Sequence, residues 1–270
     1  MKLGAGFFDL DQTLIDRQGV PYEGVEGVLQ AIHKTILTGR RYPSLRTVLD
    51  QYPSLHITQG MPVAVENGGR IMDWSGRRNI LFYPLSDDEL TATFGYLASL
   101  DSIRYVSFQP EDPQSPINVW VPDSKAAESL PTFPSQTRTF TDSLHGLFAI
   151  IREARTAMIT CSSHFLRSDI VPAGVTSYGW NKVLHVVARS VNKGTAAQQI
   201  ADTIEIDLGT VLAAGNDKND TPMLTLRGLG CPVLVGNAMG DEAAHLPSTV
   251  HRLPDARTLA EFVSARVTFG

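Results

Sequence analysis

The first third of the chain alternates short apolar runs with longer segments of helical spacing. The apolar runs are GAGFFDL, TILTGR and MPVAVENGG, and the segments between them are YEGVEGVLQAIHKT and RYPSLRTVLDQY. In the longer segments apolar residues recur every three or four positions, as they do in amphipathic helices. Short buried strands separated by such helices indicate a parallel sheet. The pattern therefore predicts an α/β unit at the start of the chain.

The pattern changes after residue 82. SDDELTATFGYLASL and DSLHGLFAIIREAR have helical spacing, and Ser86 precedes three acidic residues as a suitable N-cap. The runs SIRYVSF, INVWVP, AMITCS and KVLHVVA predict strands of a separate antiparallel sheet. Six prolines between Pro110 and Pro134 predict extended loops.

The first pattern returns at Lys193. The helical segments are GTAAQQIADTI, DTPMLTLRG and GDEAAH, and they alternate with the strands TVLAAG and CPVLVG. We therefore predict an α/β fold: a Rossmann-like parallel-sheet core from residues 1–82 and 186–270, with an α+β cap domain inserted at 83–185. An inserted domain is tolerated where its two ends lie close together at the surface.

The composition of the 270 residues is typical of a globular protein, with 43% hydrophobic and 19% charged residues. A net charge of −5 argues against a nucleic-acid partner, which normally requires a basic face. The two cysteines are far apart and have no metal-ligand spacing, which favours a cytoplasmic location. Charges at Lys2 and Asp9 leave no room for a signal peptide. No apolar run approaches the ~18 residues of a membrane helix, so we expect no membrane partner.

Polar residues of complementary chemistry follow several predicted strands. Asp9 and Asp11 follow the first strand, Thr38 ends TILT, and GNDKND follows TVLAA, whereas Lys193 begins a helix. In open parallel sheets, ligands bind outside the carboxyl ends of the strands. Oxygen ligands suit a magnesium ion, and hydroxyl and ammonium groups bind phosphate oxygens. The combination predicts a site for Mg²⁺ and a phosphoryl group.

These motifs resemble those of the haloacid dehalogenase superfamily of phosphatases. DLDQT is similar to the first family motif, and TGR, NKGTA and GNDKND are similar to the other three, in the same order. ENGGRI and VGNA resemble the subgroup with a large inserted cap, to which sucrose-phosphate phosphatase, mannosyl-3-phosphoglycerate phosphatase, Cof-like proteins and eukaryotic-type phosphomannomutases belong. The resemblance covers the whole chain, but only the core motifs are specific.

The resemblance implies roles for four residues of the first three motifs. Asp9 would attack phosphorus and form an aspartyl-phosphate. Asp11 would protonate the leaving alcohol and then take a proton from water. Thr38 would bind a phosphoryl oxygen, and Lys193 would supply positive charge to the phosphate and to Asp9. As simpler alternatives, Thr38 caps a helix and Lys193 is an exposed residue.

Further substrate-binding candidates flank these motifs; they are Gly39, Arg40, Asn67 and Asn219. Arg40 and Arg41 are expected to begin a solvated helix, with contact to the substrate phosphate as the alternative. Asn67 and Gly68 form a turn, which the resemblance places beside the active site. Asn219 would orient the phosphate or its own loop.

The last motif departs from the family pattern Gly-Asp-x-x-Asn-Asp, because Asn216 stands where the first Asp belongs. The resemblance implies that Mg²⁺ binds the Asp9 carboxylate, the Asp11 backbone carbonyl and this loop. Asn216 offers an oxygen without charge, and affinity for a hard cation falls with the charge of its ligands. Asp217 is an alternative ligand or a supporting residue, and Asp220 would anchor metal-bound water. We therefore expect Mg²⁺ to bind more weakly than in relatives.

The predicted function is that of a magnesium-dependent phosphatase acting on a phosphorylated sugar or similar small metabolite. A cap of about a hundred residues would exclude bulky substrates and stray water. Two alternatives stay open. A sugar phosphomutase would need a second phosphate site in the cap, and a non-catalytic binding protein would have lost turnover through Asn216. The sequence identifies neither the substrate nor the oligomeric state.

Overall fold

The computed structural model describes residues 3–30, 32–100, 102–123, 130, 137–163, 175–180, 182–236 and 239–266. A five-stranded parallel sheet contains, in spatial order, β14 (His251–Leu253), β13 (Cys231–Val235), β12 (Val211–Gly215), β1 (Ala5–Phe8) and β2 (Lys34–Ile36). All residues of β1, β12 and β13 are buried, which explains their uninterrupted apolar sequences. The predicted Rossmann-like parallel sheet is confirmed.

A small antiparallel sheet of three strands extends this sheet beyond β2. Its strands are β3 (Val63–Val65), β4 (Arg70–Met72) and β5 (Asn79–Phe82). A parallel bridge between Leu37 and Ala64 joins β3 to the segment after β2. The turn between β3 and β4 contains the ENGG sequence and reaches the carboxyl edge of the sheet.

A second sheet has six strands, in the spatial order β10 (Thr176–Trp180), β11 (Val183–Val187), β9 (Met158–Ser163), β6 (Ile103–Phe108), β7 (Ile117–Trp120) and β8 (Thr137–Phe140). Its pairs are antiparallel except β7 with β8, which are parallel. The sheet thus contains the four predicted strands and two further ones. The boundaries at residues 83 and 185 stay a prediction; β11 crosses the second of them.

The α-helices of the described residues are α1 (Val25–Gln30), α2 (Tyr42–Gln51), α3 (Asp87–Ala98), α4 (Leu144–Ala154), α5 (Lys193–Thr203), α6 (Thr221–Leu224) and α7 (Arg257–Ser264). Ser86 caps α3 as predicted: its hydroxyl accepts a hydrogen bond from the Glu89 N–H, and the Glu89 carboxylate accepts one from the Ser86 N–H. No helix in the described part of the chain combines the length and apolar character needed to cross a membrane.

One predicted helix has a different type in the structure. GDEAAH is a 3-10 helix (Gly240–His245) rather than an α-helix, because the backbone is already extended at Leu246 and Pro247 follows. The predicted loops of the proline-rich region are present at residues 109–116, and its segments 124–129 and 131–136 lie outside the described residues.

Candidate active site

Polar side chains from three neighbouring strands meet at the carboxyl edge of the parallel sheet. Asp9 directly follows β1, Thr38 lies two residues after β2, and Asn216 directly follows β12. Because β1 lies between β12 and β2, these three segments are adjacent in space. All three side chains are buried. This edge is where ligands bind in open α/β sheets.

A buried lysine joins two of the predicted carboxylates. Lys193 Nζ lies 2.5 Å from Asp9 Oδ1 and 2.6 Å from Asp220 Oδ1, and the lysine side chain has no exposed surface. Burial raises the pKa of Asp9 above its ordinary value; Asp220 and Asp11 act in the same direction, and Lys193 opposes them. Burial alone would lower the pKa of Lys193, but Asp220 and Asp9 raise it overall. One ammonium group is therefore shared by two carboxylates.

The start of α5 places this lysine. Asn192 is the N-cap: its side-chain oxygen accepts from the Thr195 N–H at 2.9 Å, and the Thr195 hydroxyl accepts from the Asn192 N–H at 3.2 Å. Gly194 allows α5 to approach α6, since a Cβ atom there would lie 2.4 Å from the Pro222 carbonyl oxygen. Lys193, as the first helical residue, is thereby directed into the sheet edge.

Asp220 organises the loop after β12. Its Oδ2 atom accepts from the backbone N–H groups of Asn216 at 2.9 Å and Asp217 at 3.0 Å, while Oδ1 is engaged with Lys193. The Asp217 carboxylate accepts from the Lys218 N–H at 2.7 Å and caps a short 3-10 turn. Both Asp220 oxygens thus have partners within the protein. Ligation of a metal or its water by Asp217 or Asp220 stays a prediction.

The side-chain amide of Asn216 faces two oxygen atoms. In one orientation its NH₂ group donates to Asp9 Oδ2 at 3.2 Å and to the Asp11 carbonyl oxygen at 3.0 Å. In the other orientation the amide oxygen faces the same two oxygens, and the Thr13 hydroxyl lies 3.3 Å from it and 3.1 Å from Asp9 Oδ2. Three converging oxygens of these types are a donor set that suits Mg²⁺.

This donor set is not a cluster of acidic, histidine or cysteine side chains. Across the described residues, no three His, Cys, Asp or Glu side chains form a group that could hold a metal ion. The set at Asn216 contains one carboxylate, one backbone carbonyl and one amide. It therefore carries a single negative charge before Lys193 is counted.

Arg40 and Arg41 do not begin a solvated helix. Helix α2 starts at Tyr42; Arg41 is its N-cap residue, with an extended backbone, and Arg40 lies in the preceding loop. Arg40 Nε and Nη2 donate to the Asp11 carboxylate at 2.9 and 2.6 Å, while Arg41 is buried against the second sheet. The prediction of a solvated helix start is wrong, because both guanidinium groups have fixed partners. Contact between Arg40 and substrate stays a prediction.

The remaining substrate-binding candidates form one connected cluster. The Asn67 N–H donates to the Thr38 carbonyl at 3.0 Å, and Asn219 Nδ2 donates to Asn67 Oδ1 at 3.1 Å. Gly39 lies against the Asn67 side chain, since a Cβ atom on Gly39 would be 3.1 Å from Asn67 Oδ1. The loops after β2, β3 and β12 are thus held together by backbone and amide hydrogen bonds.

Sequence reasoning gave no role to several residues of this region. Thr13 is part of DLDQT, and its spacing from Asp9 was the available signal. Glu66 and Arg70, which like Arg41 are buried charged residues between the two sheets, were also given no role. The signal for these two is weaker: Arg70 follows the ENGG turn inside an otherwise apolar stretch.

Comparison with known proteins identifies similar folds and sequences. The phosphatase BT1666 from Bacteroides thetaiotaomicron matches this structure with a TM-score of 0.73 over 98% of this chain and 95% of its own, at 15% identity. The HAD subclass IIB sugar phosphatase BT4131 matches with a TM-score of 0.74 over 97% and 98%, at 17% identity. At such identities the matches show the fold alone.

Similarity in sequence is more restricted. An 80-residue segment, 30% of this chain, is 29% identical to the phosphoglycolate phosphatase of Methanothrix thermoacetophila. The aligned part spans 34% of that enzyme's length. Residues 7–246, which include all four motifs and the second sheet, match the family described as haloacid dehalogenase-like hydrolase. The chain therefore belongs to the haloacid dehalogenase-like hydrolase family.

Proposed function

We propose that the protein is a magnesium-dependent phosphatase that hydrolyses a phosphorylated sugar or similar small metabolite through a phosphorylated Asp9. The observation that carries this proposal is the buried contact of 2.5 Å between Lys193 Nζ and Asp9 Oδ1 at the carboxyl edge of the sheet. Family membership and the fold shared with a subclass IIB sugar phosphatase support it. The choice of sugar phosphates rests on that shared fold.

In this proposal Asp9 is the nucleophile. Its carboxylate attacks the phosphorus of the monoester, a new O–P bond forms, and the bond to the alcohol breaks. Asp11 donates the proton that the leaving alcohol needs. In the second step Asp11 takes a proton from water, the water oxygen attacks phosphorus, and inorganic phosphate leaves Asp9. Asp11 suits this role because 43% of its side chain is exposed, so a substrate oxygen can reach it.

Fixed donors around Asp9 would hold the phosphoryl oxygens. The Lys193 ammonium is already positioned and desolvated, so its charge acts on the transition state without reorganisation. Thr38 supplies a hydroxyl on the neighbouring loop, and the Asn67–Asn219 pair fixes the distance between the loops after β3 and β12. Arg40 holds the Asp11 carboxylate in place through two hydrogen bonds.

The Asp9 carboxylate, the Asp11 carbonyl and the Asn216 amide oxygen fit a magnesium ion. The ion requires the second orientation of the Asn216 amide, in which all three groups present oxygen. When bound, Mg²⁺ supplies positive charge that allows the anionic phosphate to approach the anionic Asp9. Lys193 holds Asp9 Oδ1, so the carboxylate keeps one fixed direction of attack.

Phosphate release from p-nitrophenyl phosphate and from a panel of sugar phosphates and phosphoglycolate tests the proposal. Release should require Mg²⁺, stop with EDTA, and fall by about 1,000-fold or more in Asp9→Asn, which keeps the shape of the side chain. Release that persists in Asp9→Asn would contradict the proposal. A sugar 1-phosphate that yields the 6-phosphate would identify a mutase, and absence of turnover on every ester would favour a binding protein.

A further inference from the structure

Three buried charged side chains lie between the parallel sheet and the second sheet. Glu66 and Arg70 are 0% and 1% exposed, and Arg41 is 8% exposed. Arg70 Nε lies 2.7 Å from Glu66 Oε2, and Arg41 Nε lies 3.5 Å from Glu66 Oε1. We call Glu66, Arg41 and Arg70 the clasp. Two cations share one anion in it, so the carboxylate alone does not satisfy both guanidinium groups.

The guanidinium groups of the clasp turn towards the backbone of the second sheet. Arg70 donates to the carbonyls of Gln109, Pro110 and Glu111 at 3.0, 2.5 and 2.8 Å, just after β6. These acceptors belong to the main chain. The contact therefore depends on where the end of β6 lies and not on which side chains it carries.

Arg41 binds the same sheet at its centre. It donates to the Ser107 carbonyl and hydroxyl at 2.7 and 3.0 Å on β6, and to the Thr160 hydroxyl at 3.2 Å on β9. Arg41 Nε and Glu66 Oε1 form no hydrogen bond in the described structure, although they face each other.

The opposite end of the clasp is bonded to the active-site loops. The Glu66 N–H donates to the Arg40 carbonyl at 2.9 Å, and the next residue, Asn67, donates to the Thr38 carbonyl. Glu66 and Asn67 both have φ of +55°, a left-handed conformation that non-glycine residues rarely adopt. Such a conformation persists where the surroundings enforce it. The ion pairs of Glu66 are placed to do so.

We propose that Glu66 is a positioning residue that couples the placement of the second sheet to the loops of Thr38 and Asn67. Docking of the second sheet holds the two arginines, the arginines hold the Glu66 carboxylate, and Glu66 holds the turn that sets Asn67 beside Asn219. This inference rests on the proposed function, because it treats these loops as the phosphate site. The inference adds that the geometry of these loops depends on the contact between Glu66 and the two arginines, which lies outside the site.

Substitutions at the two ends of the clasp test the coupling between the second sheet and the loops of Thr38 and Asn67. Glu66→Gln keeps the side-chain volume and removes the charge, and Thr160→Val removes an Arg41 acceptor on the far sheet. The matched control is Thr93→Val, since Thr93 is equally buried in the inserted region but its hydroxyl donates to the Glu89 carbonyl of α3. The first measurement is hydrogen exchange of the amides of residues 66 and 67 in the full-length protein without substrate. The second is kcat and KM for p-nitrophenyl phosphate in the presence of Mg²⁺.

We expect Glu66→Gln to lower kcat by about 10- to 100-fold and Thr160→Val by about 3- to 10-fold, with KM within about threefold, because misplaced reacting groups mainly slow the chemical step. Both variants should speed hydrogen exchange of the amides of residues 66 and 67. Thr93→Val should change neither kcat nor the rate of this exchange. Glu66→Asp, which retains the charge, should recover part of kcat. If Thr160→Val matches Thr93→Val in kcat and in hydrogen exchange, the proposed coupling is wrong. This outcome decides the question even if Glu66→Gln does not fold. If the wild type releases no phosphate, the proposed function is wrong. The hydrogen-exchange data would still test the coupling.

Discussion

Replacing Asn216 with aspartate tests the assignment of the cation site. The substitution keeps the shape of the side chain and adds one negative charge at a position that is 5% exposed. The new carboxylate would lie 3.2 Å from Asp9 Oδ2 and 3.0 Å from the Asp11 carbonyl oxygen. Without a cation it also loses the two hydrogen bonds that the asparagine NH₂ group donates to these oxygens.

The size of the effect follows from the distance. Two unit charges separated by about 3.2 Å repel with about 5 kcal/mol at an effective dielectric constant of about 20. This is an upper bound, since one of the carboxyl groups can take up a proton instead. We therefore expect Asn216→Asp to lower the free energy of unfolding by about 2 to 4 kcal/mol in EDTA. When a divalent cation is bound, the effect of Asn216→Asp on the free energy of unfolding changes sign, because the cation gains a second charged ligand.

Urea unfolding in EDTA and across a Mg²⁺ series measures both parts of this effect. The variant should be less stable than the wild type in EDTA and should gain more from Mg²⁺, as linkage to a tighter site requires. Half-saturation of phosphate release by Mg²⁺ should fall by about tenfold or more, equivalent to about 1.4 kcal/mol. Asp217→Asn, at a residue whose carboxylate caps the neighbouring turn, provides the comparison. Equal stability in EDTA together with an unchanged half-saturation would refute the reasoning.

Four further substitutions have definite expected outcomes. Lys193→Met leaves Asp9 and Asp220 without their shared ammonium; urea unfolding should show a loss of about 3–5 kcal/mol, and wild-type stability would contradict this. Gly194→Ala brings a methyl group against the Pro222 carbonyl and should cost about 1–3 kcal/mol, whereas Gly27→Ala, which meets nothing within 4 Å, should stabilise by up to about 1 kcal/mol. Burial and Arg41 lower the pKa of His185 to about 4, so the unfolded state binds the proton more readily and stability falls as the pH drops from about 6.5 towards 4. The contribution between pH 7 and 5 is about 1–2 kcal/mol for this half-buried ring, and a His185→Gln variant with an undiminished pH dependence of unfolding would disprove it.

The parts of the fold that sequence predicts best are those with one dominant cause. β1 and β12 are apolar throughout because both faces of the parallel sheet are covered, and α3 begins where Ser86 and Glu89 satisfy each other's backbone N–H groups. β4 and β14 have three residues each, which is too short for any periodicity to develop. Strand β8 pairs in parallel with β7 across a proline-rich segment, and no local pattern specifies that pairing.

The candidate active site likewise contains some contacts that the sequence predicts and others that it does not. Motif residues and their order indicate that Asp9 and Lys193 belong together, although 184 positions separate them. The pattern does not reveal that Arg41 is buried, because its partners are Glu66 and the backbone of β6, and these contacts exist only after two sheets have packed. It also does not reveal that the Asn216 amide faces the Asp11 carbonyl oxygen. Contacts made by backbone atoms leave no trace in residue type.

Phosphorylation of Asp9 is the central claim, and its direct measurement is mass spectrometry of an acid-quenched reaction. The protein would be mixed with p-nitrophenyl phosphate and Mg²⁺, quenched within the first turnovers and digested. We predict a mass increase of one phosphoryl group on the peptide that contains Asp9, and no such increase in Asp9→Asn. Turnover accompanied by a phosphoryl group on another residue, or on none at all, would contradict the account.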